Sequence, residues 1–423
     1  MADAVEQGEE VRTPGGSVVF EPSPRAARAM AWLLTAGSES ANLSDLLTLL
    51  AGHLRDVGAP LDRMTLHIRL LHPQIRSLIY VWRSGEQAVE VIERKHGVEL
   101  TPAFRNSPIA AITEGGAAGV HVPIGRVPPP YPFEILDELK EQGFTDYAAM
   151  AMTFSSGRRN VATFASRARE GFSTDDLTLL YDILPALSSL VEVRALRLLT
   201  TNLLDVYVGR EAGQRILNGD IRRGTGLTVS AVLWYCDLRG FTGLADRLPI
   251  DQLIALLNNY FDIMGGAVAR RGGEVLKFIG DAMLAIFPVG EGDGEVRHKC
   301  ALALDAAEEA IAGMRRINAQ RAAWGQPQLG AGIALHLGDV LYGNIGATDR
   351  LDFTVIGPAV NLVTRLEELT RNLDRQLLTS AEFAQALADS DRADALTSLG
   401  QYPVKGLGYQ VEVFGRSETA RAR

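Results

Sequence analysis

The sequence predicts an α+β protein of two globular parts joined by a long helix. Three observations carry that reading. Val229–Thr242 (V-S-A-V-L-W-Y-C-D-L-R-G-F-T) contains an unbroken apolar run, Ala231–Cys236, that reads as a buried strand until polarity returns at Asp237. Beyond it, helical and strand-like periods alternate to the C-terminus. Before it, Thr174–Val208 repeats Leu177, Leu180, Tyr181, Leu184, Leu187, Val191, Leu198 and Leu204 at three- and four-residue steps, the spacing of a helix.

The N-terminal part reads as α/β. Residues 1–25 are charged and rich in Gly and Pro, so disorder is expected. Helical spacing starts at Ala26, and a second helix covers Leu43–Val57, opened by Ser44-Asp45. Strand-like runs follow at Arg63–Leu71, Arg76–Arg83, Ala88–Glu93 and Gly119–Ile124. His67 and His72 belong to this stretch, but their spacing makes no metal site. Pro128-Pro129-Pro130 marks a loop before a short helix at Phe133–Glu141. Asp146–Phe154 and Asn160–Ser166 form a hairpin across S-S-G-R-R. In the Thr174–Val208 helix, Pro185 marks a kink. Its apolar stripe suits pairing with a twin helix in a dimer, and packing on its own domain equally for the first half. Arg210–Gly226 is glycine-rich and reads as a connector, with a boundary near Gly224.

The C-terminal part then alternates. A helix at Pro249–Arg271 puts Leu253, Leu256, Leu257, Tyr260, Phe261, Met264 and Val268 on one side and stops at Gly272-Gly273. A hairpin, Glu274–Phe287, turns at Gly280-Asp281. A helix at Glu295–Asn318 follows. Strands at Leu329–Leu337 and Val340–Ile345 bracket Gly338-Asp339, and Leu351–Ile356 and a helix at Ala359–Leu369 come next. Strand, helix, hairpin, helix, strand is the ferredoxin-like βαββαβ order, here with an extra hairpin and a tail. The expected layout is a disordered 1–25, a first domain at 26–173, helix and connector at 174–224, a second domain at 225–416 and a tail at 417–423.

The totals narrow the function classes. With 423 residues, 47% hydrophobic and 22% charged, the chain has the composition of an ordinary globular protein. A net charge of −9 argues against nucleic-acid binding and against an anionic membrane surface. The two cysteines, Cys236 and Cys300, allow neither a zinc cluster nor a disulfide framework. No signal-peptide layout and no membrane-length apolar run occurs, so a cytoplasmic protein is expected.

Chemistry concentrates at the strand ends. Asp237 closes a buried strand, and Asp281 sits in the following hairpin turn; two carboxylates presented by one sheet suit a divalent-metal site. Gly240 allows a close turn, and the amides around Phe241 and Thr242 can face an anion. Asn361 and Arg365 lie four apart after Gly357-Pro358, on one face of a helix. Lys277 shares a strand face with Val275 and Ile279, an apolar setting for a lysine. Each residue also has a plain alternative. Gly-Asp is a good hairpin turn in its own right, Thr354 suits a strand for packing alone, Lys405 reads as surface charge, and Arg365 has Glu367 and Glu368 as helix partners.

Taken together the motifs are more specific. D-L-R-G-F-T (237–242), K-F-I-G-D-A-M-L-A-I-F (277–287), H-L-G-D-V-L-Y-G-N-I-G (336–346), D-F-T-V-I-G-P-A-V-N-L-V-T-R-L-E (352–367) and Pro403-Val404-Lys405-Gly406 occur in that order. The stretch from Val229 to Gly415 closely resembles the catalytic domain of class III nucleotidyl cyclases. The resemblance implies that Asp237 and Asp281, with the Leu238 carbonyl, bind two Mg²⁺ or Mn²⁺. It implies that Asn361 orients the ribose, Arg365 meets the transition-state phosphorus, and Lys405 holds the terminal phosphates. Lys277 with Thr354 resembles the adenine-selecting set of a bacterial subgroup, where a guanine reader would carry Glu at position 277. An adenylate cyclase making cyclic AMP from ATP is therefore expected, with a guanylate cyclase or a non-catalytic sensor with a degenerate cyclase domain as alternatives. The resemblance further implies a homodimer with shared sites, and a bicarbonate or other small-molecule activator. Pro358 stands where relatives often have Asp or Asn, and Asp339 where some animal relatives carry a basic phosphate contact. The N-terminal layout, with Gly171-Phe172-Ser173 before the long helix, resembles a GAF-type sensory domain, with a PAS-like sensor or a dimerisation domain as the alternative.

Overall fold

The structure, a computed structural model, describes residues 11–12, 18–19, 22–222, 224–405 and 408–417. The chain forms two compact units, Met1–Asn202 and Leu203–Arg423. Most of the stretch expected to be disordered lies outside the described residues; within it β1 (Val11–Arg12) pairs with β2 (Val18–Val19). No helix among the described residues is long and apolar enough to cross a membrane.

The first unit contains α1 (Pro24–Leu34), α2 (Leu43–Asp56), β3 (Arg63–Arg69), β4 (Ile75–Arg83), β5 (Glu90–Lys95), α3 (Pro102–Arg105) and α4 (Pro108–Thr113). It continues with β6 (Gly119–Val122), α5 (Glu134–Glu141), β7 (Asp146–Thr153), β8 (Arg159–Ser166), α6 (Thr174–Asp182) and most of α7 (Leu184–Tyr207). The sheet runs β5-β4-β3-β8-β7-β6, with every pair antiparallel. Alternation sorts its two faces. Met64, Leu66, Ile68, Leu78, Tyr80, Ala162 and Phe164 pack against the apolar sides of α1, α2, α6 and α7. Tyr147, Ala149 and Val161 face the other way, onto Ile112, Leu136 and Leu139. Ser173 caps α6 in a reciprocal box with Asp176, which also accepts from Arg25 at 2.8 Å.

The helix expected over Thr174–Val208 is divided at Ile183 into α6 and α7. Pro185 lacks an amide to donate back to α6 and is at home in the first turn of α7. Leu184, Leu187 and Val191 are buried against the first unit's own core, while Val193 and Leu196 are exposed.

The connector expected over Arg210–Gly226 begins instead with a helix, α8 (Arg210–Leu217). Its Gly213 is a packing glycine: an added Cβ would stand 3.1 Å from Leu204 Cβ. Arg215 of α8 lies over the Tyr342 ring at 5.3 Å.

The rest of the second unit contains β9 (Gly226–Arg239), α9 (Phe241–Ala245), α10 (Ile250–Arg270), β10 (Glu274–Ile279), β11 (Ala282–Pro288), α11 (Asp293–Ala323), β12 (Gly330–Ala347) and β13 (Arg350–Ile356). It ends with α12 (Pro358–Asn372), β14 (Leu377–Ser380), α13 (Ala381–Ala386), β15 (Leu396–Pro403) and β16 (Gln410–Arg416). The sheet order is β10-β11-β9-β12-β14-β16-β15, with β13 hung from β12. The first four strands have the predicted ferredoxin-like arrangement, with β9 between β11 and β12. Val232, Trp234, Cys236, Met283 and Phe287 pack under α10 and α11. Ala231, Leu233, Leu284 and Ile286 pack on the opposite face with Ala359, Val363 and Leu366 of α12. Both faces of β9 are covered, which explains its continuous apolar run.

One strand assignment changes. The two strands expected around Gly338-Asp339 are one strand, β12, paired to β9 from Gly330↔Arg239 to Gly343↔Gly226 without a register break. Gly338 and Asp339 lie opposite Ala231 and Ser230, so the long partner strand carries the ladder through a dipeptide that reads locally as a turn.

Candidate active site

Two carboxylates meet where β9 ends and β11 begins. Cys236 of β9 pairs with Met283 of β11, so Asp237 and Asp281 project from neighbouring strand termini. The hairpin reaches Asp281 through Gly280, whose φ of 65° is left-handed and suits glycine. Asp237 is half-buried opposite Gly332 of β12, and its Oδ1 accepts from the Leu238 amide at 2.9 Å. Burial first, and then the neighbouring Asp237 carboxylate, push the Asp281 carboxyl up to about 6.

A third carboxylate lies behind this pair. Glu367 of α12 is 7% exposed and accepts from Thr370 Oγ1 at 3.2 Å. Burial, followed by repulsion from Asp237, pushes it up to about 7. The packing is close: a Cβ at position 332 would stand 2.2 Å from Glu367 Oε1. Both acids hold protons more tightly in the folded chain than their ordinary values of 3.8 and 4.5 allow in the unfolded one. The folded state therefore binds more protons in that window, and these groups lower stability as pH rises towards 7. Glu367→Gln removes one of them. In metal-free buffer the melting temperature of Glu367→Gln should match that of the unaltered chain near pH 4.5 and exceed it increasingly up to pH 7. A difference independent of pH would contradict the assignment.

The donor set fits a hard divalent cation. Two carboxylates held together repel one another, and Mg²⁺ or Mn²⁺ takes oxygen ligands with waters and phosphates completing the shell. Asp237 and Asp281 would hold the metal.

Asn361 and Arg365 lie elsewhere on the unit. The buried side of α12 carries Ala359, Val363, Leu366, Glu367 and Thr370. At about 100° per residue, Arg365 points about 160° away from Glu367. Arg365 is paired with Glu368 and its side chain is 36% exposed; Asn361 is exposed. One chain thus presents the paired acids on one side of α12 and the guanidinium on the other.

Lys277 is not in the apolar setting expected from Val275 and Ile279. A bulge between Val275 and Lys277 breaks the strand's alternation, and Ile279 is exposed. Lys277 Nζ instead donates to Asp352 Oδ2 at 3.1 Å. Thr354, two residues along β13 from Asp352, is 6% exposed, and its Oγ1 has no hydrogen-bond partner among the described residues. Gly240, with φ of 76°, opens the single turn of α9; Phe241 is half-buried there and Thr242 exposed. Lys405 is exposed after β15, and the Gly406 that completes its motif lies outside the described residues.

Residues 228–415 match the family model described as the adenylate and guanylate cyclase catalytic domain. The second unit carries an adenylate/guanylate cyclase catalytic domain. An adenylate cyclase of Anabaena cylindrica is 32% identical over 173 residues, covering 40% of this chain and 33% of the relative. The terminal-differentiation specific adenylate cyclase of Dictyostelium discoideum is 27% identical over 192 residues, 45% of this chain and 9% of the relative. The chain thus spans a third or less of the length of these curated relatives. Among solved structures, a bacterial light-regulated adenylyl cyclase is 26% identical, with 56% of this chain and 65% of that chain covered at a TM-score of 0.46. Cyclase domains of this class generally use divalent metals, in keeping with the acidic pair.

Two residues of the cyclase domain's site escaped the reading of the sequence. The sequence offers Glu367 as a partner for Arg365, yet positions 359, 363, 366, 367 and 370 form an apolar-facing series that marks it as a buried acid. Asp352 left no comparable signal, because its partner Lys277 lies on a strand distant in the chain.

Proposed function

We propose that the cyclase domain is an adenylate cyclase, converting ATP to 3′,5′-cyclic AMP and pyrophosphate in the cytoplasm, where ATP is found. The observation that carries this reading is the meeting of Asp237 and Asp281 at adjacent strand ends. In the reaction the 3′-oxygen bonds to the α-phosphorus, the bond from that phosphorus to the β-phosphate oxygen breaks, and the hydroxyl proton is lost. Bound Mg²⁺ or Mn²⁺, two per site, supplies a lowered pKa for the 3′-hydroxyl and charge neutralisation for the triphosphate. Asp237, Asp281 and the Leu238 carbonyl would hold the metal. Asn361 orients the ribose, and Arg365 meets the charge on the phosphoryl oxygens in a forked geometry. Lys405 and the amides at Phe241 and Thr242 hold the remaining phosphates.

The base preference rests on Lys277 and Thr354. Adenine offers a ring acceptor and an amino donor along one edge; an ammonium donates to the first, and the unpartnered Thr354 hydroxyl accepts from the second. Guanylate cyclase is the second reading. It is favoured by Asp352, whose carboxylate beside Lys277 matches the donors that guanine presents on the same edge.

Because α12 points Arg365 away from its own chain's acids, a complete site takes Asp237 and Asp281 from one subunit and Asn361 and Arg365 from another. A homodimer with two equivalent shared sites meets that need. The N-terminal unit, a six-stranded antiparallel sheet flanked by helices, would act as a GAF-like regulatory domain, with α7 as its output. The purified chain should be given ATP or GTP with Mn²⁺ or Mg²⁺, with and without bicarbonate, and its products separated by chromatography. Cyclic AMP from ATP is the expected main product; cyclic GMP alone selects the second reading, and no cyclic product removes both.

A further inference from the structure

The first unit encloses a cavity of about 360 Å³ on the sheet face turned away from α1 and α2. Its position follows from strand alternation. Met64, Leu66 and Ile68 of β3 go to the core beneath the helices, so Arg63, His67 and Arg69 go to the other face. On β4, Ile79 and Ser77 join them, and Val98 in the short 3₁₀ turn Val98–Leu100, Phe104 of α3 and Ile109 of α4 line the cavity as well. The volume lies in the range of small-molecule sites, and most of the wall is apolar.

The charged side chains in that wall are all arginines. Arg63, His67, Arg69, Arg76 and Arg94 line the cavity, and no acidic side chain does. Arg69 and Arg76 are engaged by Glu114, and Arg76 also by Glu99. Arg63 is different: half-buried, it makes no hydrogen bond or ion pair among the described residues, and Glu90 and Glu138 act on it only at a distance. Burial, together with the charges of Arg63 and Arg94, depresses His67 to about 3, so it is a neutral imidazole able to donate or accept. A guanidinium kept partly from water without a partner is costly, and a cavity of fixed positive potential against apolar walls recovers that cost only when an anion enters.

We propose that this cavity binds a small organic anion, a carboxylate or phosphate monoester on an apolar body, with Arg63 as the anchor of its charged group. The apolar body would lie along Ile79, Phe104 and Ile109, and the anionic head would take the forked donors of Arg63 with His67 beside it. Sulfate-sized inorganic anions would leave the apolar wall unfilled and bind weakly.

The test uses the full chain and three probes of one shape: 2-naphthoate, 2-naphthyl phosphate and the neutral 2-naphthamide, titrated by calorimetry. At least one anion should bind tenfold or more tightly than the amide, and which anion leads assigns the head group. Arg63→Met keeps the stem and removes the charge. It should bring anion and amide within about twofold of each other while raising the melting temperature of the unliganded chain. Ile79→Trp, which fills the cavity and leaves Arg63 in place, should weaken all three probes and guards against a fold defect in the first variant. The proposal fails if the amide binds as tightly as both anions, if Arg63→Met preserves the preference, or if none of the three binds at millimolar concentration.

Discussion

Asp281→Asn should lower cyclase turnover by about 10³-fold or more, because it removes one of the two carboxylates that would hold the metal. The substitution keeps the shape of the side chain and the Gly280 turn that presents it. It also removes a half-buried acid whose proton is held by burial and by the neighbouring Asp237, so the metal-free variant should melt no lower than the unaltered chain. Mn²⁺ should raise the melting temperature of the unaltered chain and have little effect on the variant, since the gain comes from binding the folded state alone. Initial rates of cyclic-nucleotide formation, thermal melts with and without Mn²⁺, and light scattering for subunit number read the three expectations separately. Unchanged turnover in a folded variant refutes the metal assignment.

Arg365→Ala should lower kcat by about 10²- to 10³-fold and leave KM within about threefold, the pattern of a contact made mainly in the transition state. Its present partner, Glu368, is on the same exposed flank of α12, and such a surface pair contributes little to stability, so folding should be unaffected. The more demanding expectation comes from mixing. If Arg365 and Asp281 serve the same site from different chains, an equal mixture of Arg365→Ala and Asp281→Asn forms half mixed dimers. Each mixed dimer has one intact site of two, giving about a quarter of normal turnover. Two variants inactive alone should thus recover activity together, measured by the same rate assay after subunit exchange. A mixture as inactive as its parts excludes sites shared in this way.

Several elements were legible from local chemistry. The apolar run Ala231–Cys236, the periodic Leu253–Val268 stripe of α10, the Gly272-Gly273 stop and the Gly280-Asp281 turn each express a backbone or burial preference within a few residues. Local chemistry also misplaces a break in β12. Gly338-Asp339 has the composition of a turn, and only its pairing with Ala231 and Ser230, distant in the chain, holds it extended. In α8, glycine reads as a loop signal, yet Gly213 serves close contact with Leu204, which composition does not reveal.

At the level of residues, the ordered motifs and the cyclase resemblance they carry single out Asp237, Asp281, Lys277, Thr354, Asn361 and Arg365 as candidates. Which of them meet was decided by the folded unit. Sheet register joins Asp237 to Asp281, α12 buries Glu367 behind them while turning Arg365 outward, and Asp352 rather than Thr354 takes Lys277. The physical reason is range. Helix, strand and turn preferences act between near neighbours, whereas the charge on a carboxyl and the partner of an ammonium depend on groups brought close by strands and helices many residues apart.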